Sequence, residues 1–193
     1  MKIKAIINRF LYVIYMVTRL ILTYLFYKYR FGNIGFKSIL FGNFSSLTRP
    51  DCIFLGKNVR IFKNARMDCI TSWIDSEFKP SIVIGNNVNI GQNFFVSCAS
   101  KISIGDGVLI SDNVAIIDNE HVYQKGKSSS ETPIIASGIT IEKNVVIYRN
   151  VTILKGAHIE EGVVIGANSI VKGRILKNSM AAGMCAKTIR TLS

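Results

Sequence analysis

Aliphatic residues recur every six positions in the C-terminal half of the chain. From residue 141 onward the period is unbroken, at Ile141, Ile147, Ile153, Ile159, Ile165 and Val171. A small or β-branched residue follows four places after each of these, at Val145, Val151, Ala157, Val163, Ser169 and Ile175. A period of six fits neither an α-helix nor a simple strand, and it is typical of a parallel β-helix. The pattern therefore predicts a mainly β solenoid.

The same six-residue frame extends toward the N-terminus, as in I-G-N-N-V-N at 84–89 and L-G-K-N-V-R at 55–60. Asn and Gly cluster at the second to fourth places, where the chain must turn and where a positive φ costs these residues little. Two stretches break the frame, at 73–81 and 118–138. We predict an N-terminal segment of residues 1–50 and a repeat domain of residues 51–193 that carries a loop at 118–138.

The N-terminal segment is apolar and basic. Fifteen of the 18 residues from Phe10 to Tyr27 are apolar or aromatic, which predicts a helix. Arg19, near its middle, would cost about 2.5–3.5 kcal/mol at the centre of a bilayer. We favour a helix in the membrane interface, with a helix packed on the body or a neighbouring subunit, or a spanning helix, as the alternatives.

The net charge of +12 is concentrated at one end of the chain. Residues 1–66 hold 12 Lys and Arg against the single acid Asp51, whereas residues 67–193 hold 12 against 11 acids. This asymmetry indicates that the N-terminal segment meets an anionic surface such as a phospholipid membrane. We expect no nucleic-acid partner, because the sequence has no binding motif of that class.

The four cysteines are irregularly spaced and there are only two histidines. This composition favours reduced thiols and no metal site. We expect a cytoplasmic protein, either free or held peripherally on the inner face of the cell membrane.

Two stretches carry a family resemblance: I-E-K-N-V-V-I-Y-R-N-V-T-I-L-K-G-A-H-I-E-E-G-V-V-I-G-A-N-S-I-V at 141–171 and M-A-A-G-M-C-A-K-T-I-R at 180–190. They resemble the hexapeptide-repeat acyltransferases, and most closely the O-acetyltransferases of bacterial surface polysaccharides. The resemblance implies a left-handed parallel β-helix, a homotrimer with active sites between neighbouring coils, and acetyl-CoA as the donor. General chirality rules would have favoured a right-handed coil, so the left hand comes from the resemblance alone.

His121 matches the position of the family's catalytic histidine. An imidazole suits the removal of a proton from an attacking hydroxyl near neutral pH. On the acceptor side, the resemblance places Asn93 against the sugar, and Asp118 and Glu120 complete this predicted set. Either carboxylate, or a backbone carbonyl, could orient the His121 ring. We expect His158 to be a surface residue.

For the donor, the resemblance implies that pantetheine lies beside Ala167 and that a backbone amide near Arg149 stabilises the oxyanion. Cations near the matching end of the coil are the candidates for the nucleotide phosphates, and they are Lys172, Arg174, Lys187 and Arg190.

The leading functional hypothesis is direct transfer of an acetyl group from acetyl-CoA to a sugar hydroxyl, with His121 as general base. The expected acceptor is a surface-polysaccharide precursor or its lipid-linked form. N-acetylation of an amino sugar is the near alternative, and a non-catalytic β-helix scaffold is the alternative from a different class.

Overall fold

The structure, a computed structural model, describes residues 2–191, with only the backbone described for residues 2, 3 and 190. Helix α1 (Lys2–Tyr27) precedes a succession of short strands that wind into a three-sided coil. Two 3₁₀ turns, Pro50–Cys52 and Ser129–Glu131, lie between strands.

Each coil contributes one strand to each of three faces, which we call A, B and C in chain order. The strands are β1 (Asn33–Ile34), β2 (Ile39–Leu40) and β3 (Ser46–Thr48) in coil 1; β4 (Ile53–Leu55), β5 (Arg60–Ile61) and β6 (Arg66–Cys69) in coil 2; β7 (Ser72–Trp73) and β8 (Ser76–Glu77) in a hairpin; β9 (Ser81–Ile84), β10 (Asn89–Ile90) and β11 (Phe95–Cys98) in coil 3; β12 (Lys101–Ile104), β13 (Leu109–Ile110) and β14 (Ala115–Ile117) in coil 4; β15 (Asn119–His121) and β16 (Ile134–Ala136) in a loop; β17 (Ile139–Ile141), β18 (Val146–Ile147) and β19 (Thr152–Leu154) in coil 5; β20 (His158–Ile159), β21 (Val164–Ile165) and β22 (Ile170–Val171) in coil 6; and β23 (Arg174–Ile175), β24 (Ser179–Ala182) and the final strand β25 (Lys187–Thr191).

Strands of successive coils pair in parallel on every face. Within residues 2–191, face A has the order β1-β4-β9-β12-β17-β20-β23, face B runs β2-β5-β10-β13-β18-β21-β24-β25, and face C runs β3-β6-β11-β14-β19-β22. The register places residues of the same type on top of one another in successive coils, since Ile90 lies opposite Ile110 and Ile110 opposite Ile147. Strand β25 differs, because it returns antiparallel along β24.

The core consists of the two inward positions of each repeat. The twelve residues of the two aliphatic series between 141 and 175 are all 5% exposed or less. Burial of each Ile or Val contributes about 1.5–3 kcal/mol, so the stacked columns account for much of the stability. The predicted six-residue frame is confirmed.

Asparagine and glycine occupy left-handed corner positions, as the sequence predicts. Along the corner between faces B and C, five Asn residues have a left-handed backbone, and the side-chain amides of the first four each donate to the amide oxygen of the Asn on the next coil. The ladder comprises Asn64, Asn93, Asn113, Asn150 and Asn168. These bonds satisfy polar groups that every turn exposes.

The coil begins at Asn33, earlier than the boundary at residue 51 that the sequence predicts. The difference arises because Ser38 occupies an inward position that Val59 fills on the next coil. Ser38 is fully buried, and its hydroxyl donates to the Gly56 carbonyl and accepts from the Val59 N–H, each at about 2.8–2.9 Å. Because a polar residue interrupts the period of hydrophobic residues here, the sequence pattern does not show that coil 1 belongs to the repeat.

Helix α1 docks on the open end of coil 1 through its C-terminal half. The Arg19 guanidinium donates to the Leu40 carbonyl, and the Thr23 hydroxyl accepts from the Leu40 N–H at 2.9 Å. The Tyr24 hydroxyl donates to the Gly35 carbonyl at 2.8 Å. The bonds to Leu40 occupy both of its main-chain groups, and the bond from Tyr24 adds to the one that the Gly35 carbonyl accepts from the Ser38 N–H. Packing on the body, one of the predicted alternatives, therefore holds for this half of the helix.

Candidate functional site

Both stretches that break the repeat leave the coil at the same corner. The β7–β8 hairpin emerges after face C of coil 2, and the 118–138 loop emerges after face C of coil 4. Between them, coil 3 passes from face C to face A through the tight turn at Ala99 and Ser100. We call this corner the C–A edge.

Trp73 connects the β7–β8 hairpin with the 118–138 loop. Its indole N–H donates to the Thr132 carbonyl of the loop at 2.9 Å. Its ring also meets the His121 ring edge to face, with 5.0 Å between ring centroids. The hairpin of coil 2 therefore reaches past coil 3 and braces the loop of coil 4.

The loop has its own internal structure. Strands β15 and β16 pair antiparallel, with His121 opposite Ile134. A capping box closes the 3₁₀ turn, since the Glu131 carboxylate accepts from the Ser128 N–H at 3.0 Å. Thr132 and Ile134 are buried, which anchors the base of the loop.

His121 lies at the rim of a cavity of about 260 Å³ formed by the loop. Its ring is exposed, and the other lining residues are Val122, Tyr123, Gln124, Lys127, Ser129 and Thr132. An exposed imidazole at the rim of a cavity can accept a proton from a bound hydroxyl or amine. This position is compatible with the role predicted for His121.

Asp118 does not fit its predicted place among the acceptor-binding residues. It is fully buried, and its two carboxylate oxygens accept from the backbone N–H groups of Ala99 and Ser100, at 2.7 and 2.8 Å. The Asn119 amide donates to the same carboxylate at 3.1 Å. Asp118 thus stabilises the tight turn of coil 3 and is not exposed to a substrate.

Glu120 is exposed and forms an ion pair with Lys155, with 3.3 Å between the charged atoms. Lys155 lies on the C–A edge at the end of coil 5. The carboxylates of Asp118 and Glu120 therefore bond to groups other than the His121 ring. Contact of Glu120 with an acceptor stays a prediction.

Asn93, Arg149 and Ala167 share the corner between faces B and C, which we call the B–C edge. Asn93 belongs to the asparagine ladder, so its amide already has partners on both neighbouring coils. Arg149 and Ala167 are exposed and occupy equivalent places on coils 5 and 6, where the Arg149 carbonyl accepts from the Asn168 N–H at 3.1 Å. The structure thus brings these three residues to one edge and His121 to another.

The predicted phosphate-binding cations lie toward the last coils. Lys172 is exposed on the C–A edge, and Arg174 next to it is paired with the Glu160 carboxylate at 2.5 Å. Lys187 is exposed on β25. Arg190 lies on the same strand, but its side chain is outside the described part of the chain. Arg174 also lines a cleft of about 580 Å³ with residues of β25.

His158 is a half-exposed surface residue, as predicted, and its Nε2 lies 2.8 Å from the Glu142 carboxylate. That contact and the Glu161 backbone N–H hold the pKa of Glu142 below its usual value. Because His158 lies on face A, it is separate from the His121 cavity.

The two buried cysteines, Cys69 and Cys98, are unsuited to catalysis. Burial raises the pKa of Cys69 to about 12 and also raises the pKa of Cys98. Cys69 and Cys98 therefore remain thiols near neutral pH. Across residues 2–191, no three His, Cys, Asp or Glu side chains are grouped to hold a metal ion.

Sequence reasoning missed Trp73, Thr132 and Lys155 as neighbours of the site. One signal was available, because Trp73 is the only tryptophan of the chain and lies in a stretch outside the repeat frame. No local pattern indicates Lys155, which occupies an ordinary corner of coil 5.

Comparison with known proteins identifies the repeat. Residues 138–173 match the family described as Bacterial transferase hexapeptide (six repeats). No curated protein matches the chain by sequence.

Solved structures share the fold over most of the chain. A point mutant of AntD, an N-acyltransferase from Bacillus cereus, solved with dTDP-4-amino-4,6-dideoxyglucose and Coenzyme A, is 18% identical, with 86% of this chain and 87% of that chain covered and a TM-score of 0.70. The hexapeptide-repeat-containing acetyltransferase VCA0836 from Vibrio cholerae is 25% identical, with 90% and 81% covered and a TM-score of 0.63. VCA0836 has also been solved with acetyl-CoA, and that structure has a TM-score of 0.55 at 23% identity, with 86% and 74% covered.

The match and the shared fold agree with the resemblance read from the sequence. The chain carries the bacterial transferase hexapeptide repeat and has the left-handed parallel β-helix fold of the hexapeptide-repeat acyltransferases.

Proposed function

We propose that the protein transfers an acetyl group from acetyl-CoA to a hydroxyl of a sugar, in a precursor of a surface polysaccharide, with His121 as general base. The observation that carries the proposal is the His121 ring itself, exposed at a loop cavity and held from the side by Trp73. Attack is direct, so His121 removes the proton as the acceptor oxygen bonds to the thioester carbon and CoA leaves as the thiolate.

Acetyl-CoA as donor is supported by the solved relatives, since VCA0836 was solved with acetyl-CoA and AntD with Coenzyme A. The exposed corner at Arg149 and Ala167 offers this chain's candidate surface for the donor. Calorimetric titration with acetyl-CoA should give about one equivalent per chain. Absence of binding by the folded protein would favour the scaffold alternative.

The two histidines provide a matched test of the base. His121→Ala should lower the rate of acetyl transfer by about 10²–10⁴-fold, whereas His158→Ala should retain it. The rate is measured as CoA thiol released from acetyl-CoA in the presence of sugar acceptors. Full activity of His121→Ala would overturn the assignment of the base.

N-acylation is the second candidate, and the likeness to AntD favours it, because AntD is an N-acyltransferase solved with an amino sugar nucleotide. The two reactions differ in the bond formed. Hydroxylamine at alkaline pH releases an acetyl group from an ester and leaves an amide intact. Product treated in this way and analysed by mass spectrometry would distinguish O-acetylation from N-acetylation.

We further propose that the working site forms between copies of the chain in a homotrimer. Support comes from the separation of the donor candidates Arg149 and Ala167, on the B–C edge, from His121 on the C–A edge. Neighbouring copies could bring the two edges together.

Mixed oligomers test this arrangement. His121→Ala and Ala167→Trp should each be inactive alone, and a co-refolded equal mixture should recover about one quarter of wild-type activity if each site takes one edge from each of two copies. A mixture as inactive as its parents would place the whole site on one chain. We also propose a cytoplasmic location, with which the free thiols of the buried Cys69 and Cys98 are compatible.

A further inference from the structure

The outer face of α1 is apolar and has no partner in the described protein. We define it by Ile7, Leu11, Ile14, Ile21 and Leu25, which recur at spacings of three, four and seven residues and are 46–65% exposed. Such spacing places them on one side of a helix. The stretch Lys4–Tyr27 is long and apolar enough to cross a membrane, and almost none of it is buried. A continuous apolar surface of this kind marks an interaction site.

The apolar surface continues from the helix onto coil 1. Phe36 is 68% exposed and lines a shallow cavity together with Leu20, Ile21, Tyr24 and Lys37. The Lys37 ammonium lies 5.4 Å from the centroid of the Phe36 ring. An aromatic ring next to a cation is suited to the headgroup level of a bilayer. The surface is therefore broader than the stripe needed to pair with a single helix.

Charge favours a lipid partner over a second copy of the chain. Helix α1 contains Lys2, Lys4, Arg9 and Arg19 and no acidic residue, and Lys28 and Arg30 follow it. Copies of such a helix repel each other, whereas each cation near an anionic membrane strengthens binding by about fivefold. The N-terminal excess of positive charge, which the proposed acetyl transfer does not use, fits this role.

The docked half of the helix argues against a span. Arg19, Thr23 and Tyr24 hold main-chain groups of coil 1, so insertion of this half would break all of these bonds. The part before Arg19 that lacks such bonds, residues 4–18, is about 22 Å long as a helix. That length is less than the roughly 30 Å of a hydrocarbon core.

We propose that the outer face of α1, together with Phe36, binds the surface of an anionic phospholipid bilayer without crossing it. The helix lies in the headgroup region, and the β-helix stays on the aqueous side. The proposal does not depend on the acetyl-transfer activity.

Flotation of the purified full-length protein with vesicles tests the proposal. Vesicles of phosphatidylcholine containing about 30 mol% phosphatidylglycerol should bind at least about tenfold more protein than phosphatidylcholine alone, and about 0.5 M NaCl should weaken the binding. Equal binding to neutral and anionic vesicles, or none to either, would overturn it.

A matched pair of substitutions locates the surface. Ile14→Asp, on the outer face, should reduce vesicle binding by at least about tenfold, because it puts a charge where apolar contact is needed. Leu176→Asp places the same charge on an exposed leucine that follows β23, at the other end of the β-helix, and should bind as the wild type does. Equal losses of vesicle binding in both variants would show that the added charge weakens binding wherever it lies. That result would overturn the assignment of the outer face as the membrane-binding surface.

Two further measurements separate the competing occupants. The molar mass of Ile14→Asp in solution, by light scattering, should equal that of the wild type, whereas a smaller assembly would show that the face joins copies of the chain. Wild-type protein bound to vesicles should be released by carbonate at high pH, as a peripheral protein is. Resistance to that extraction would show a span and contradict the proposal.

Discussion

The indole of Trp73 meets the imidazole of His121 edge to face, with 5.0 Å between the ring centroids, although the two residues belong to different excursions from the coil. The hydrogen bond from the same indole to the Thr132 carbonyl fixes the loop that carries His121. Trp73 therefore limits the positions that the ring can adopt. This contact makes Trp73 a positioning residue for the proposed base.

Trp73→Phe should lower kcat by about tenfold with little change in KM. The substitution keeps an aromatic ring beside His121 and removes the N–H donor, which leaves the buried side of the loop less firmly held. Steady-state kinetics of acetyl transfer, with circular dichroism to verify folding, provide the measurement.

A double variant supplies the control. In a His121→Ala background, Trp73→Phe should have almost no further effect, because the two residues act as one unit. Additive losses would show that Trp73 acts independently of His121.

Asp118→Ala should destabilise the fold by about 2–4 kcal/mol. The substitution leaves the Ala99 and Ser100 N–H groups without their acceptor at a turn where Ala99 is buried. Asp118→Asn, which keeps one acceptor oxygen, should lose less. Urea unfolding monitored by Trp73 fluorescence measures both, and a loss below about 0.5 kcal/mol for Asp118→Ala would contradict the structural role.

The repeat could be predicted because it depends on residues that are close together in the sequence. The spacing of Ile147 and Ile153 by six residues specifies both their burial and their stacking, and the asparagines along the B–C edge specify the turns there. The sequence pattern does not reveal coil 1, because Ser38 replaces an aliphatic residue and its hydroxyl bonds to groups of coil 2. Hydrogen bonds between coils cannot be recognised from the spacing of hydrophobic residues within one coil.

The candidate site could be predicted only in part. The loop and the position of His121 are visible in the sequence, but the Trp73–His121 contact joins residues 48 positions apart through two insertions at one corner. The sequence predicts a role for Asp118 in the site, because a carboxylate near a catalytic histidine is a common orienting group. Its burial against the Ala99 turn depends on how coils 3 and 4 stack, which the local sequence does not encode.

Thr23→Val should destabilise the junction between α1 and coil 1 by about 1–2 kcal/mol. Valine has nearly the shape of threonine but cannot accept from the Leu40 N–H, and Thr23 is only 1% exposed. Hydrogen exchange should then accelerate at the Leu40 amide more than at amides of coil 5. Thr18→Val, on the exposed side of the same helix, is the matched control and should leave the Leu40 amide protected.

Glu160 should make stability depend on acid. The Lys177 backbone N–H and the Arg174 side chain hold the pKa of Glu160 below its usual value of 4.5. A carboxylate with a lowered pKa in the folded state contributes stability above the pKa of the unfolded chain and loses it as the pH falls through the folded value. The contribution is thus complete near pH 7 and declines below about pH 4.5.

Glu160→Gln removes the titrating group and keeps the side chain's shape. The difference in free energy of unfolding between the wild type and Glu160→Gln should be largest near pH 7 and should shrink as the pH falls below about 4.5, because protonated Glu160 resembles glutamine. Urea titrations at several pH values between about 7 and 3 measure this difference. A difference that stays constant down to about pH 3 would mean that Lys177 and Arg174 hold the ionised carboxylate no more tightly than its neutral form.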